Sequence, residues 1–234
     1  GTSGRLGILD AAECPPTFGT SPDMVVGLIA GGKEAVFKAQ EGAEDSELNG
    51  VNDLKSINLN SNDTVCGIAA SGRTPYVIGG LNYAVSLGSH TIFLSASSKE
   101  HIEQFGVNCD VVISTNLGAE VIAGSTRMKA GTAQKLILNM LTTCSMVRIG
   151  KTLGNVMIDL QLTNKKLHER AKRIIMDFTG IDYYQAAEYL EKTDGNVKKA
   201  LVMLLADADL ETAENALKQS DGFVKQAINL LNGK

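Results

Sequence analysis

The sequence predicts an α/β protein, a parallel sheet covered by helices on both faces, with a small all-helical domain after it. Three observations predict it. Short apolar, β-branched runs at 64–69, 91–95 and 110–114 are separated by helix-length segments, the pattern of βαβ units. Hydroxyl-rich turns recur where helices should begin. From Gly180 onward no strand-like run remains, and a repeat with a 27-residue period takes over.

Taken in order, Gly1-Thr2-Ser3-Gly4-Arg5-Leu6-Gly7 reads as the first such turn, leading into an apolar helix over 6–12. A turn of this kind should follow a buried strand, so a strand is expected ahead of Gly1. Pro15 and Pro16 cannot continue a helix, which sets Glu13 at its end. Residues 22–30 read as a strand and 33–40 as a helix. A polar connection over 47–62 precedes the strand at 64–69. A helix over 75–87, a strand at 91–95, a short helix near 99–104 and a strand at 110–114 follow. The apolar pattern of 128–149 predicts a long, well-buried helix, equally suited to a subunit seam or an internal core. A second long helix is expected over about 156–178.

In the last third, Ala186, Leu190, Asp194-Gly195, Val197-Lys198, Ala200 and Leu201 recur as Ala213, Leu217, Asp221-Gly222, Val224-Lys225, Ala227 and Ile228. Each copy is helix, Asp-Gly turn, helix. Such an appendage suits an interaction module, a dimer contact or a lid. The expected division is 1–165 for the α/β domain and 166–234 for the helical one.

The turns are where the chemistry is expected. Ala69-Ala70-Ser71-Gly72-Arg73-Thr74-Pro75 joins a strand to a helix start, which offers unpaired N–H groups and the positive end of a dipole. Ser71 and Thr74 add hydroxyls, Gly72 permits close approach, and Pro75 suits a first helical position. Ser95-Ala96-Ser97-Ser98 and Gly124-Ser125-Thr126-Arg127 are further turns of this type. None is a Walker loop or a dinucleotide fingerprint. Anion binding at the carboxyl ends of parallel strands is the expected use.

Composition narrows the chemistry. A net charge of −4 argues against a nucleic-acid surface. No apolar run approaches the length needed to cross a bilayer, and no signal peptide is visible, so no membrane partner is expected. Cys14, Cys66, Cys109 and Cys144 are scattered, as reduced thiols in a cytoplasmic protein would be. His90, His101 and His168 have no partner at ligand spacing, so no metal is expected. Carboxylates near the turns, Glu13, Glu44 and Glu120, are the candidate proton carriers. Arg73, Arg127 and Lys129 are candidates to pair with a phosphate or a substrate carboxylate.

Several blocks resemble a known family. Gly1-Thr-Ser-Gly-Arg-Leu-Gly, Asp10-Ala-Ala-Glu-Cys-Pro-Pro16, Gly42-Ala-Glu-Asp45, Ala69-Ala-Ser-Gly-Arg-Thr-Pro-Tyr76 and Ser125-Thr-Arg-Met-Lys-Ala-Gly-Thr-Ala-Gln-Lys135 resemble N-acetylmuramic acid 6-phosphate etherases. These belong to the sugar isomerase (SIS) fold group. The resemblance implies a three-layer SIS sandwich and, for the tail, a ubiquitin-associated-like helical domain. It also implies that the family's N-terminal helices and first strand lie ahead of Gly1.

The implied activity is a lyase that removes the D-lactyl ether of N-acetylmuramate 6-phosphate. The products are N-acetylglucosamine 6-phosphate and D-lactate, in cell-wall recycling, with no cofactor. By resemblance Glu13 assists the leaving lactate and later activates water, and Glu44 is the C2 base. Ser71 and Thr74 take the phosphate with Thr2 and Ser3 nearby, and Ser125 and Thr126 belong to the same set. Where fold-group phosphate loops read Ser-x-Ser-Gly-x-Thr, the first serine is here Ala69. A homodimer is implied. The alternatives are an aldose–ketose phosphosugar isomerase and a non-catalytic sugar-phosphate sensor.

Overall fold

The computed structural model describes residues 1–106, 108–162 and 164–233. Contacts divide the chain into two units, Gly1–Ala11 with Val26–Met140, and Ala12–Val25 with Leu141–Lys234.

The first unit holds a parallel sheet of β1 (Thr64–Ile68), β2 (His90–Ser95) and β3 (Val111–Ser114), in that spatial order. Gly67 pairs with Phe93, and Phe93 with Val112. Helix α4 (Pro75–Leu87) and the short α5 (Lys99–Glu103) make the crossovers. Neighbouring strand residues face opposite sides. A side chain at Gly67 would strike Leu81 and Val77 of α4, whereas Ile68 reaches Gly7 of α1 (Thr2–Phe18). The sheet is therefore covered on both faces, as the sequence predicts. Ala69, Leu81, Phe93 and Ile102 form the buried cluster on the α4 side.

Four expectations change over residues 1–40. Helix α1 begins at Thr2, not Leu6, and runs through Pro15 and Pro16 to Phe18. The prolines lie in its last turn, where each removes the N–H that the carbonyl four residues back would take. Residues 22–30 make no strand; instead Gly27 lies against the backbone of Gly7 and Ile8, and Ile29 against Gly4, so the segment packs on α1. The helix expected at 33–40 shrinks to α2 (Glu34–Phe37).

The polar connection after Glu47 is instead largely α3 (Glu47–Ser56), capped by Ser46 accepting from the N–H of Asn49. Gly50 in its middle hides it in the sequence, but that glycine is what lets α3 lie on α4. A Cβ there would collide with the carbonyl of Tyr76, and one at Gly79 with the carbonyl of Glu47. The Tyr76 hydroxyl, donating to Asp53 at 2.6 Å, ties the same pair.

The long helix is α6 (Lys129–Arg148), with Ala130, Gln134, Leu138 and Met146 buried. It is less buried than expected: Leu136 and Met140 are about half exposed, at 49% and 56%.

In the second unit the end of α6 is followed by a two-residue antiparallel hairpin, β4 (Thr152–Leu153) and β5 (Val156–Met157), turned by Gly154-Asn155. This replaces the first part of the helix expected over 156–178; Thr163 in that stretch lies outside the described residues. The helix itself is α7 (Lys165–Thr179), capped by Asn164 accepting from the N–H of Leu167. The repeat then appears as predicted: α8 (Tyr183–Lys192) and α9 (Val197–Ala206), then α10 (Leu210–Gln219) and α11 (Val224–Leu231). The N–H of Gly195 donates to Leu190 O and that of Gly222 to Leu217 O, each at 2.8 Å, closing the two Asp-Gly turns identically. Ile175, Ala186, Leu201, Ala213 and Ala227 are among the fully buried residues of this unit's core. Lys151 and Lys198 flank Asp159 at 2.7 and 3.0 Å, joining the hairpin segment to α9.

Candidate active site

The three strands end side by side, and their trailing turns are stitched by hydroxyls. Ser95 Oγ donates to Ala70 O at 3.2 Å and Ser97 Oγ to Ser71 O at 3.0 Å. Ser114 Oγ donates to Ser97 O at 2.6 Å, and Thr115 Oγ1 to Ser95 O at 3.2 Å. These protons are spent on carbonyls, so these residues shape the turn. Ser71 and Thr74 differ. Both are half-buried, Thr74 is the N-cap of α4 yet gives no side-chain cap, and among the described residues no hydrogen bond engages either hydroxyl. Two uncommitted hydroxyls at a helix start are what an anion needs. Gly72 between them is buried with φ of +75°, and a side chain there would press on Ile102 and Ser95 Oγ.

The heads of α1 and α6 meet in the same unit. Ser3 Oγ donates to Gln134 Oε1 at 2.9 Å, and Thr2 lies against Gly131. Thr126 O accepts from the N–H of Gly131 at 3.1 Å, and Ser125 precedes it in the turn. Thr2, Ser3, Ser125 and Thr126 thus gather around one corner. Glu120 belongs to that corner as a cap, its carboxylate accepting from the N–H groups of Lys129 and Ala130, each at 3.1 Å. Those bonds hold its carboxyl below the ordinary range, which suits a fixed anion rather than a proton carrier. Lys129 Nζ is occupied by Ala119 O at 2.7 Å.

Glu44 sits in a single 3₁₀ turn (Ala43–Asp45) that packs against α4, and its side chain is exposed. It lines a cleft of about 310 Å³ together with Gly1, Arg5, Ala35 and Glu41. Glu13 is exposed on α1, in the part that belongs to the second unit. Arg73 and Arg127 are exposed. No cluster of metal-binding side chains occurs among the described residues. Burial pushes the Cys66 thiol up to about 12, with the Asp10 charge adding to it, so it is no nucleophile. Arg5 and Gln134 are the two polar residues here that the sequence does not single out. Arg5 is hidden inside a glycine-rich motif and Gln134 in a helix, where only the tertiary pairing marks them.

Known proteins provide the comparison. The family model for the glucokinase regulatory protein N-terminal SIS domain matches residues 1–85, and that for the C-terminal lid domain of the same protein matches 154–194. The chain is 58% identical over 213 residues to an N-acetylmuramic acid 6-phosphate etherase of Vibrio campbellii, spanning 91% of this chain and 68% of that one. A Bacillus cereus protein of the same name is 59% identical over 209 residues, spanning 89% and 70%. One from Oceanobacillus iheyensis is 55% identical over 213 residues, spanning 91% and 71%.

Proposed function

The chain belongs to the N-acetylmuramic acid 6-phosphate etherase family, and from that premise we propose that it cleaves the D-lactyl ether of N-acetylmuramate 6-phosphate during cell-wall recycling. The observation that carries this is identity above one half across about nine tenths of the chain. Ring opening exposes an aldehyde at C1, which acidifies the proton on C2. Glu44 takes that proton, the C2–H electrons form the C2–C3 double bond, and the C3–O pair leaves with lactate. Glu13 protonates the departing oxygen. It then takes a proton from water as the water oxygen bonds to C3, and C2 is reprotonated. Ser71, Gly72 and Thr74 hold the phosphate, with Thr2, Ser3, Ser125 and Thr126 contributing around it.

An isomerase would share the C2 deprotonation but keep the lactyl group, and a sensor would bind without turnover; the relatives favour neither. We place its action in the cytoplasm on the strength of the etherase relatives; no helix among the described residues is long and apolar enough to cross a membrane. It works as a homodimer, a reading supported by Leu136, Met140 and Val147 standing exposed on α6. Residues 1–165 bind the phosphosugar and 166–234 form the helical domain.

Incubation with N-acetylmuramate 6-phosphate in D₂O, followed by NMR, tests the reading. Release of lactate with deuterium at C2 of the product is expected. Deuterium exchange or isomerisation without lactate overturns it.

A further inference from the structure

We infer that Arg5 receives the carboxylate of the substrate's lactyl group and thereby makes the enzyme prefer the ether to its own product. The inference rests on the etherase reading. The substrate carries two anions, a phosphate and a lactyl carboxylate, and the product keeps only the phosphate. Hydroxyls and a helix start suit the phosphate. The carboxylate is matched best by a planar guanidinium, which can give two parallel N–H bonds.

Arg5 is so placed. It lines the cleft of about 310 Å³ that also exposes Glu44, a volume suited to a small ligand. Among the described residues lining that cleft it is the one cationic side chain, and two carboxylates, Glu41 and Glu44, share the wall. An arriving carboxylate would be repelled by that pair unless a cation offset them. The guanidinium is also held still, since Nε donates to Val36 O at 2.7 Å. That bond uses one edge of the group and leaves both Nη groups without an ion pair among the described residues. A lactyl arm on C3 lies one carbon from the C2 atom that Glu44 is proposed to deprotonate, so one small cleft can take both.

The test compares ligands with and without the charge. Wild type, Arg5→Met and Arg5→Lys are assayed with N-acetylmuramate 6-phosphate, with its lactyl N-methylamide, and with N-acetylglucosamine 6-phosphate as inhibitor. Wild type should bind the amide about 10-fold more weakly than the natural substrate, and Arg5→Met should raise KM for the natural substrate by a similar factor with no further loss for the amide. Inhibition by N-acetylglucosamine 6-phosphate should stay within about twofold, which also reports an intact site. Equal weakening of substrate and product, or undiminished discrimination against the amide in both variants, overturns the assignment. Failure of the wild type to release lactate overturns the etherase reading instead, and is a separate result.

Discussion

Ser3 and Gln134, 131 positions apart, are joined by a 2.9 Å hydrogen bond from the Ser3 hydroxyl to Gln134 Oε1. Gln134 is only 1% exposed, and its Nε2 is buried with no partner among the described residues. A buried donor left unmade costs about 1–3 kcal/mol. The two ends of a carboxamide have the same shape. Turned over, the group would donate to Ser3, satisfying the nitrogen and freeing the serine proton for a ligand.

The pair therefore yields a stability prediction. Gln134→Leu should be neutral or stabilising by about 1 kcal/mol, because it removes an orphaned donor at similar volume. Gln134→Glu should be the damaging change, since it places a carboxylate where the side chain is only 1% exposed and no cation pairs with it among the described residues. Urea titration reads both. A loss of more than about 2 kcal/mol in Gln134→Leu would mean that the nitrogen has a partner.

The two proposed carboxylates should separate kinetically. Glu13→Ala should cut lactate release by about 10²-fold or more while C2 exchange with solvent persists. Glu44→Gln should abolish both. Wild-type turnover in Glu13→Ala would remove it from the mechanism.

The hydroxyls at the strand ends should fall into two classes. Ser71→Ala and Thr74→Val should each raise KM about 10-fold with little change in stability, because their hydroxyls serve no protein group among the described residues. Ser97→Ala should lower stability by about 1–2 kcal/mol, since it removes the bonds to the 70–71 carbonyls. Denaturation and steady-state kinetics on the same three proteins decide it.

Glu120 gives a pH signature. Its carboxyl is held below the ordinary 4.5 in the folded chain by the Lys129 and Ala130 N–H groups. A depressed carboxyl stabilises the fold above its unfolded pKa and loses that contribution as pH falls through the folded value. The stability gap between wild type and Glu120→Gln should be constant near neutrality and close below about pH 4.5. A gap that widens in acid would refute the capping role.

Legibility followed the physics of each segment. Strands β1 to β3 and helix α4 were readable because their apolar runs are continuous and bounded by turn residues. The 27-residue repeat was readable because Asp-Gly turns and apolar spacing recur together. Helix α3 was not, since Gly50 lowers local helix propensity while serving a close crossing that only the fold reveals. The run at 22–30 misled because apolar residues packing under a helix look like a buried strand. The prolines misled in α1 because the helix continues to Phe18 despite the two donors they remove. Ser71 and Thr74 could be found from the turn, but their difference from Ser97 depends on hydrogen bonds across three strands.

Because four neighbouring hydroxyls are already tied to carbonyls, the turn proposed to receive the anion is braced before anything binds. Ordering entropy is then charged to folding and not to association, and the loop should look the same empty or filled. Backbone amides of residues 70–74 should accordingly be as protected from exchange without the sugar phosphate as with it, apart from those the ligand itself touches.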